Sequence, residues 1–150
     1  MPHMSRFFKS VIIIAVLIGG YYLFTSIFGS TSVSIEFGRY TDDLTITGPM
    51  KSSIVINYDD IESLELVDGP SDPGEAKGGG KFLKSFYGLW NNSEWGDYNY
   101  YATGAIFSKS NTKKCILVTE KDGTLVLFNY NDDDGTTNMF RLFNDILDNR

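Results

Sequence analysis

The run from Val11 to Phe28, VIIIAVLIGGYYLFTSIF, holds 18 residues without a charge. As a helix rising about 1.5 Å per residue it spans about 27 Å, close to the roughly 30 Å hydrocarbon core of a bilayer. A helix buried in a soluble core would keep a polar face, and this one has none. Tyr21 and Tyr22 are amphipathic, and Gly19-Gly20 is tolerated where no water competes for helix hydrogen bonds. Residues 11–28 are therefore expected to be a transmembrane helix, behind an N-terminal segment 1–10. The competing reading is a cleaved signal peptide, which would leave the rest secreted. The apolar run exceeds the usual h-region of about 7–15 residues, and no A-x-A-like site follows it.

Charge sets the expected orientation. Arg6 and Lys9 are the only charged residues before Glu36. Basic residues flanking a span favour the cytoplasmic side, so the N-terminus is expected inside and the remainder outside the cytoplasm. Of 13 Lys/Arg, 11 lie beyond the span with all 19 Asp/Glu, leaving that part at −8. Such a balance repels phosphate backbones and excludes nucleic acid as the main partner. It also excludes attachment to anionic lipid by a general positive field.

Beyond a Gly/Ser/Thr linker at 29–32, alternation and turn signals divide the chain into strands. Val33, Ile35 and Phe37 suit a lead-in strand. Leu44–Thr47, Ile54–Ile56, Ile61–Val67, Lys81–Trp90, Asp97–Thr103, Lys113–Glu120 and Thr124–Tyr130 are seven more. Residues 68–80, with two prolines and five glycines, are expected to form no regular ladder. Asp122-Gly123 predicts a type I′ hairpin turn. Met139, Phe140, Phe143, Ile146 and Leu147 then share one face of a helix over 136–148, with Thr136 as its cap.

Seven antiparallel strands closed by a C-terminal helix resemble a pleckstrin-homology-like (PH-like) barrel. The match is to small bacterial PH-like domains behind transmembrane segments. It rests on Ile54-Val55-Ile56, Asp60 to Leu66 (DIESLEL), Gly78-Gly79-Gly80-Lys81-Phe82, Ile116-Leu117-Val118-Thr119, Asp122-Gly123 and Met139–Leu147. The resemblance covers 33–148. It implies a mainly β fold with the helix plugging one open end, and a binding role. Phosphoinositide binding is not carried over, because only Lys51 falls in Gly48–Ser53, where that function needs clustered cations.

Catalytic chemistry has few residues to use. His3, the only histidine, precedes the span, which removes His-dependent nucleophilic and metal sites. Cys115 is the only cysteine and sits in an apolar run, as an inert buried thiol does. Asp42-Asp43, Asp59-Asp60 and Asp132-Asp133-Asp134 stand at expected turns or a helix start, where Asp satisfies backbone donors. Asp132–Gly135 lacks the remaining ligands of a calcium loop, and Gly78–Lys81 is followed by Phe82 rather than the Ser/Thr of a phosphate loop. No enzyme activity, metal or cofactor is expected.

The candidate site is aromatic. Trp90, Trp95, Tyr98 and Tyr100, with Phe86, Tyr87 and Tyr101 nearby, are bordered by Lys77, Lys81 and Lys84. Exposed rings of this kind anchor proteins or stack on sugars, whereas buried ones form core. The leading expectation is an externally facing, membrane-tethered, non-enzymatic module for a protein or envelope component. The alternative is a carbohydrate- or cell-wall-binding surface on the same rings.

Overall fold

The computed structural model describes residues 6–29, 31–38, 40–103 and 114–150. Residues 1–5, position 30 of the linker and Lys113 of the strand expected over Lys113–Glu120 lie outside the described residues. Helix α1 (Arg6–Phe28) opens the chain. Its span Lys9–Phe28 is long and apolar enough to cross a membrane, and none of it is buried. A signal sequence passes the same test of length and composition.

Three strands then form a meander: β1 (Ser34–Phe37), β2 (Asp43–Thr47) and β3 (Ser53–Asn57). Register aligns Ile35 with Ile46 and Ile54, and Phe37 with Leu44 and Ile56. Because side chains alternate across a strand, this register puts six apolar side chains on one face and leaves Val55 outside. The lead-in strand is thus a full member of this small sheet.

The second sheet contains β4 (Ile61–Asp68), β5 (Glu75–Phe82), β6 (Ser85–Asn92), β7 (Gly96–Thr103), β8 (Lys114–Glu120) and β9 (Leu125–Phe128). Its order is β4-β8-β9-β7-β6-β5. All neighbours are antiparallel except β7 and β9, which run parallel. The expected single seven-stranded antiparallel barrel is therefore corrected: nine described strands divide into sheets of three and six.

The physical reason lies mainly in residues 75–85. Gly78, Gly79 and Gly80, expected in an irregular stretch, are inside β5. A Cβ on Gly79 would sit 2.0 Å from the Tyr87 carbonyl oxygen, so glycine is what lets the two backbones approach. The expected strand Lys81–Trp90 is instead a hairpin, turning at Leu83-Lys84 between paired Phe82 and Ser85. Leu83 holds φ 52°, a left-handed conformation that a turn signal of Gly or Asn would normally advertise.

The Asp122-Gly123 hairpin forms, with a different turn. Glu120 N–H donates to Thr124 O at 2.9 Å, closing a three-residue loop in which only Gly123 has positive φ (90°). That is a type I turn ending in a bulge, not type I′.

Two apolar clusters sandwich the large sheet. The first lies between the sheets and includes Leu44, Ile46, Ile56, Tyr58, Ile116, Val118, Val126 and Phe128. Helix α2 (Asp133–Asp148) seals it through Phe143, whose ring meets Phe37 at 5.5 Å and Tyr58 at 5.8 Å. The helix packs on β4 and β8. It begins earlier than expected. Asp132, not Thr136, is the cap, accepting from Gly135 N–H at 2.7 Å. Thr136 is fully buried, with its hydroxyl donating to backbone oxygen at Asp132 2.7 Å away. The second cluster covers the opposite face, which explains the uninterrupted apolar runs of β8 and β9.

Candidate functional site

Alternation along β6 and β7 places the candidate rings on that second face. Trp90 is paired with Tyr98, and Tyr100 lies one pleat further along β7. Phe86 stacks on Tyr100 at 4.9 Å and meets Trp90 edge-on at 5.5 Å. Tyr98 contacts Trp95 at 5.4 Å and Tyr100 at 5.7 Å, so the structure brings the four candidate rings together.

The group is a core. Trp90 and Tyr100 are each 7% exposed and Tyr98 is 1% exposed, while Trp95 is half-buried at its edge. Polar ring atoms are satisfied internally. Tyr98 hydroxyl donates to Pro73 O at 2.8 Å, and the Trp90 indole N–H donates to Tyr87 O at 3.1 Å. Burial pushes the Tyr98 hydroxyl up to about 12, with Asp72 adding to it, and raises Tyr100 further. Cys115 lies in the same cluster, and burial pushes its thiol up to about 12, far from a reactive thiolate. Tyr87 and Tyr101 lie on the other face, with the first cluster.

Of the three lysines, Lys81 meets the ring cluster, through Phe86. Lys77 pairs with Glu75 at 3.1 Å on exposed β5. Lys81 places its ammonium 5.1 Å from the Phe86 ring centre, and Lys84 is exposed at the hairpin turn. Together they leave the β5–β6 hairpin basic, with three lysines against the single carboxylate Glu75.

The carboxylates serve local structure. Asp132 caps α2, and Asp133 accepts the Lys114 N–H at 2.8 Å. Asp59 and Asp42 flank the Arg150 guanidinium at 2.8 and 3.5 Å, and Asp43 accepts from the Thr41 hydroxyl at 2.8 Å. Asp60, Glu120 and Asp122 line a shallow groove with Lys121. Partial burial raises Glu120, with Asp122 and Asp60 contributing. Among the described residues no group of three or more His, Cys, Asp or Glu is placed to hold a metal ion.

A second cluster, absent from the candidate set, ties α1 to the domain. Ser85, 1% exposed, donates to Thr31 O at 2.8 Å, and Val33 N–H donates to Thr103 Oγ1 at 2.9 Å. Asn129, buried beside Thr103, accepts its N–H at 2.8 Å. Phe82 stacks on Phe28 of α1 at 5.8 Å and meets Phe24 at 6.0 Å. The sequence signal for this contact is Lys81-Phe82-Leu83-Lys84, two apolar residues between two lysines where a turn falls. No family model, no curated protein and no solved structure matches the chain.

Proposed function

We propose that this chain is a membrane-tethered, non-enzymatic binding module of PH-like type whose β domain faces outside the cytoplasm and engages a protein or envelope component. The observation that carries it is the junction. The unburied 20-residue apolar span Lys9–Phe28 leads, through Thr31 and Val33 hydrogen-bonded to Ser85 and Thr103, into a folded β domain. Two sheets over a common core with a C-terminal helix support the PH-like reading in outline. The parallel β7–β9 pair and the three-plus-six division depart from it.

A protein partner is favoured by β5. Among the described residues it is an eight-residue edge strand whose outer side has no neighbouring strand, and its glycines keep side chains out of the way. Strand addition at such an edge gives affinity through main-chain hydrogen bonds. The carbohydrate alternative lacks its stacking platform, because three of its four rings are buried.

The test is a photo-crosslinking residue at exposed Ala76 of β5 in the full chain, in living cells, with Asp122 as the control position. A discrete protein adduct at Ala76 and none at Asp122 is expected. Equal yields, or no adduct at Ala76, would remove protein binding at this edge.

A further inference from the structure

Val55 and Leu142 are exposed, but among the described residues only two exposed large apolar side chains stand on positive-φ backbone. Met50 and Leu83 are 44% and 63% exposed, and both hold left-handed backbone, φ 57° and 52°. Bulky side chains rarely occupy that region. Exposing two of them to water on two separate turns has no folding benefit.

Both turns adjoin the anchor. The Pro49–Lys51 turn packs against α1 and β6, and the space beside Gly29 is bounded by Lys51 backbone and side chain. The Leu83 turn is held to α1 by Phe82, through the ring contacts with Phe24 and Phe28. A helix that crosses a bilayer sets both turns down at the lipid interface.

Charge agrees with that placement. The domain carries −8, yet residues 44–58 and 76–93 contain no Asp or Glu and hold Lys51, Lys81 and Lys84, beside Lys77, which is paired with Glu75. The local surface at the anchor is thus apolar and basic within an acidic domain. Apolar tips seated among headgroups with lysines around them form an interfacial contact. Alone it is weak, and an isolated soluble domain is not expected to bind vesicles. The tether supplies a high effective concentration.

We infer that the Met50 and Leu83 turns, rimmed by Lys51, Lys81 and Lys84, rest on the anionic headgroups of the bilayer that holds α1, fixing the domain's tilt and leaving the outer part of β5 free. This inference rests on the anchoring reading above.

The experiment uses the full chain in phosphatidylcholine vesicles with or without phosphatidylglycerol. Leu83→Cys, Met50→Cys and the control Asp122→Cys are labelled with an environment-sensitive fluorophore; buried Cys115 stays unlabelled in the folded protein. Lipids bearing a shallow spin label act as quencher. Labels at 83 and 50 are expected to be quenched several-fold more than the label at 122 in anionic vesicles. Reversing Lys51, Lys81 and Lys84 to Glu is expected to abolish the difference, each lysine shifting the contact roughly fivefold. Equal quenching at all three positions, or a difference unaffected by phosphatidylglycerol and charge reversal, would overturn the inference. Alkaline carbonate extraction separates the two readings. A retained chain with unquenched tips defeats this inference alone, and a released chain defeats the anchoring as well.

Discussion

Phe143→Ala is expected to destabilise the β domain by about 3–5 kcal/mol, the range for emptying a buried Phe site. Phe143 is fully buried, with Phe37 of β1 at 5.5 Å on one side and Tyr58, in the turn just before β4, at 5.8 Å on the other. The surrounding strands are tied by register and cannot collapse into the space without breaking pairs. On a domain of this size the melting midpoint should fall by on the order of 10 °C. Leu142, the residue just before it, is 48% exposed, and Leu142→Ala should change stability by no more than about 0.5 kcal/mol. Thermal melts of the full chain in detergent, followed by the tertiary signal of Trp90 and Trp95, compare the two. Equal shifts would make α2 a peripheral helix and undo the assignment of the first core.

Gly79→Ala should be comparably severe, costing about 3 kcal/mol or more through backbone collision. The new Cβ would lie 2.0 Å from Tyr87 O and within 2.9 Å of Gly88 Cα, atoms that cannot swing aside. Relief requires β5 to part from β6, and with it the contact of Phe82 on α1. Gly78→Ala is the internal control. Its Cβ meets only the Leu89 side chain at 3.6 Å, an ordinary contact, so its effect should stay within about 0.5 kcal/mol. Amide hydrogen exchange should lose protection over β5 in the first variant and retain it in the second. Matching behaviour would mean that the close approach of the two strands is not a property of the molecule in solution.

These paired residues also mark where sequence reasoning stops. Alternation in Ile35/Phe37, Leu44/Ile46 and Ile54/Ile56 foretells strands because one face of the small sheet is buried, and the 3.6-residue spacing of Met139, Phe143 and Ile146 foretells α2 for the same reason. The strand at 75–82 is not legible, because glycine argues against a strand unless the neighbouring backbone is already known to lie too close for a Cβ. The turn at Leu83 is hidden similarly, since it places a leucine in a backbone conformation its own side chain disfavours. Whether Trp90, Tyr98 and Tyr100 faced water or core depended on which sheet face was covered, and alternation reports faces without saying what covers them. The parallel pairing of β7 with β9 depends on a crossover that no local residue encodes. As for the anchor contact, Lys81-Phe82-Leu83-Lys84 acquires meaning only when Phe82 is seen against Phe28.

The central claim is the proposal that α1 holds the domain on the far side of a membrane from Arg6 and Lys9, the basic flank expected to stay in the cytoplasm. The most direct measurement is a pair of reporters fused at Arg150 of the full chain in a bacterial host, one active only outside the cytoplasm and one only within it. The account predicts activity from the first and silence from the second. The reverse pattern, with the fusion still in the membrane fraction, would contradict it.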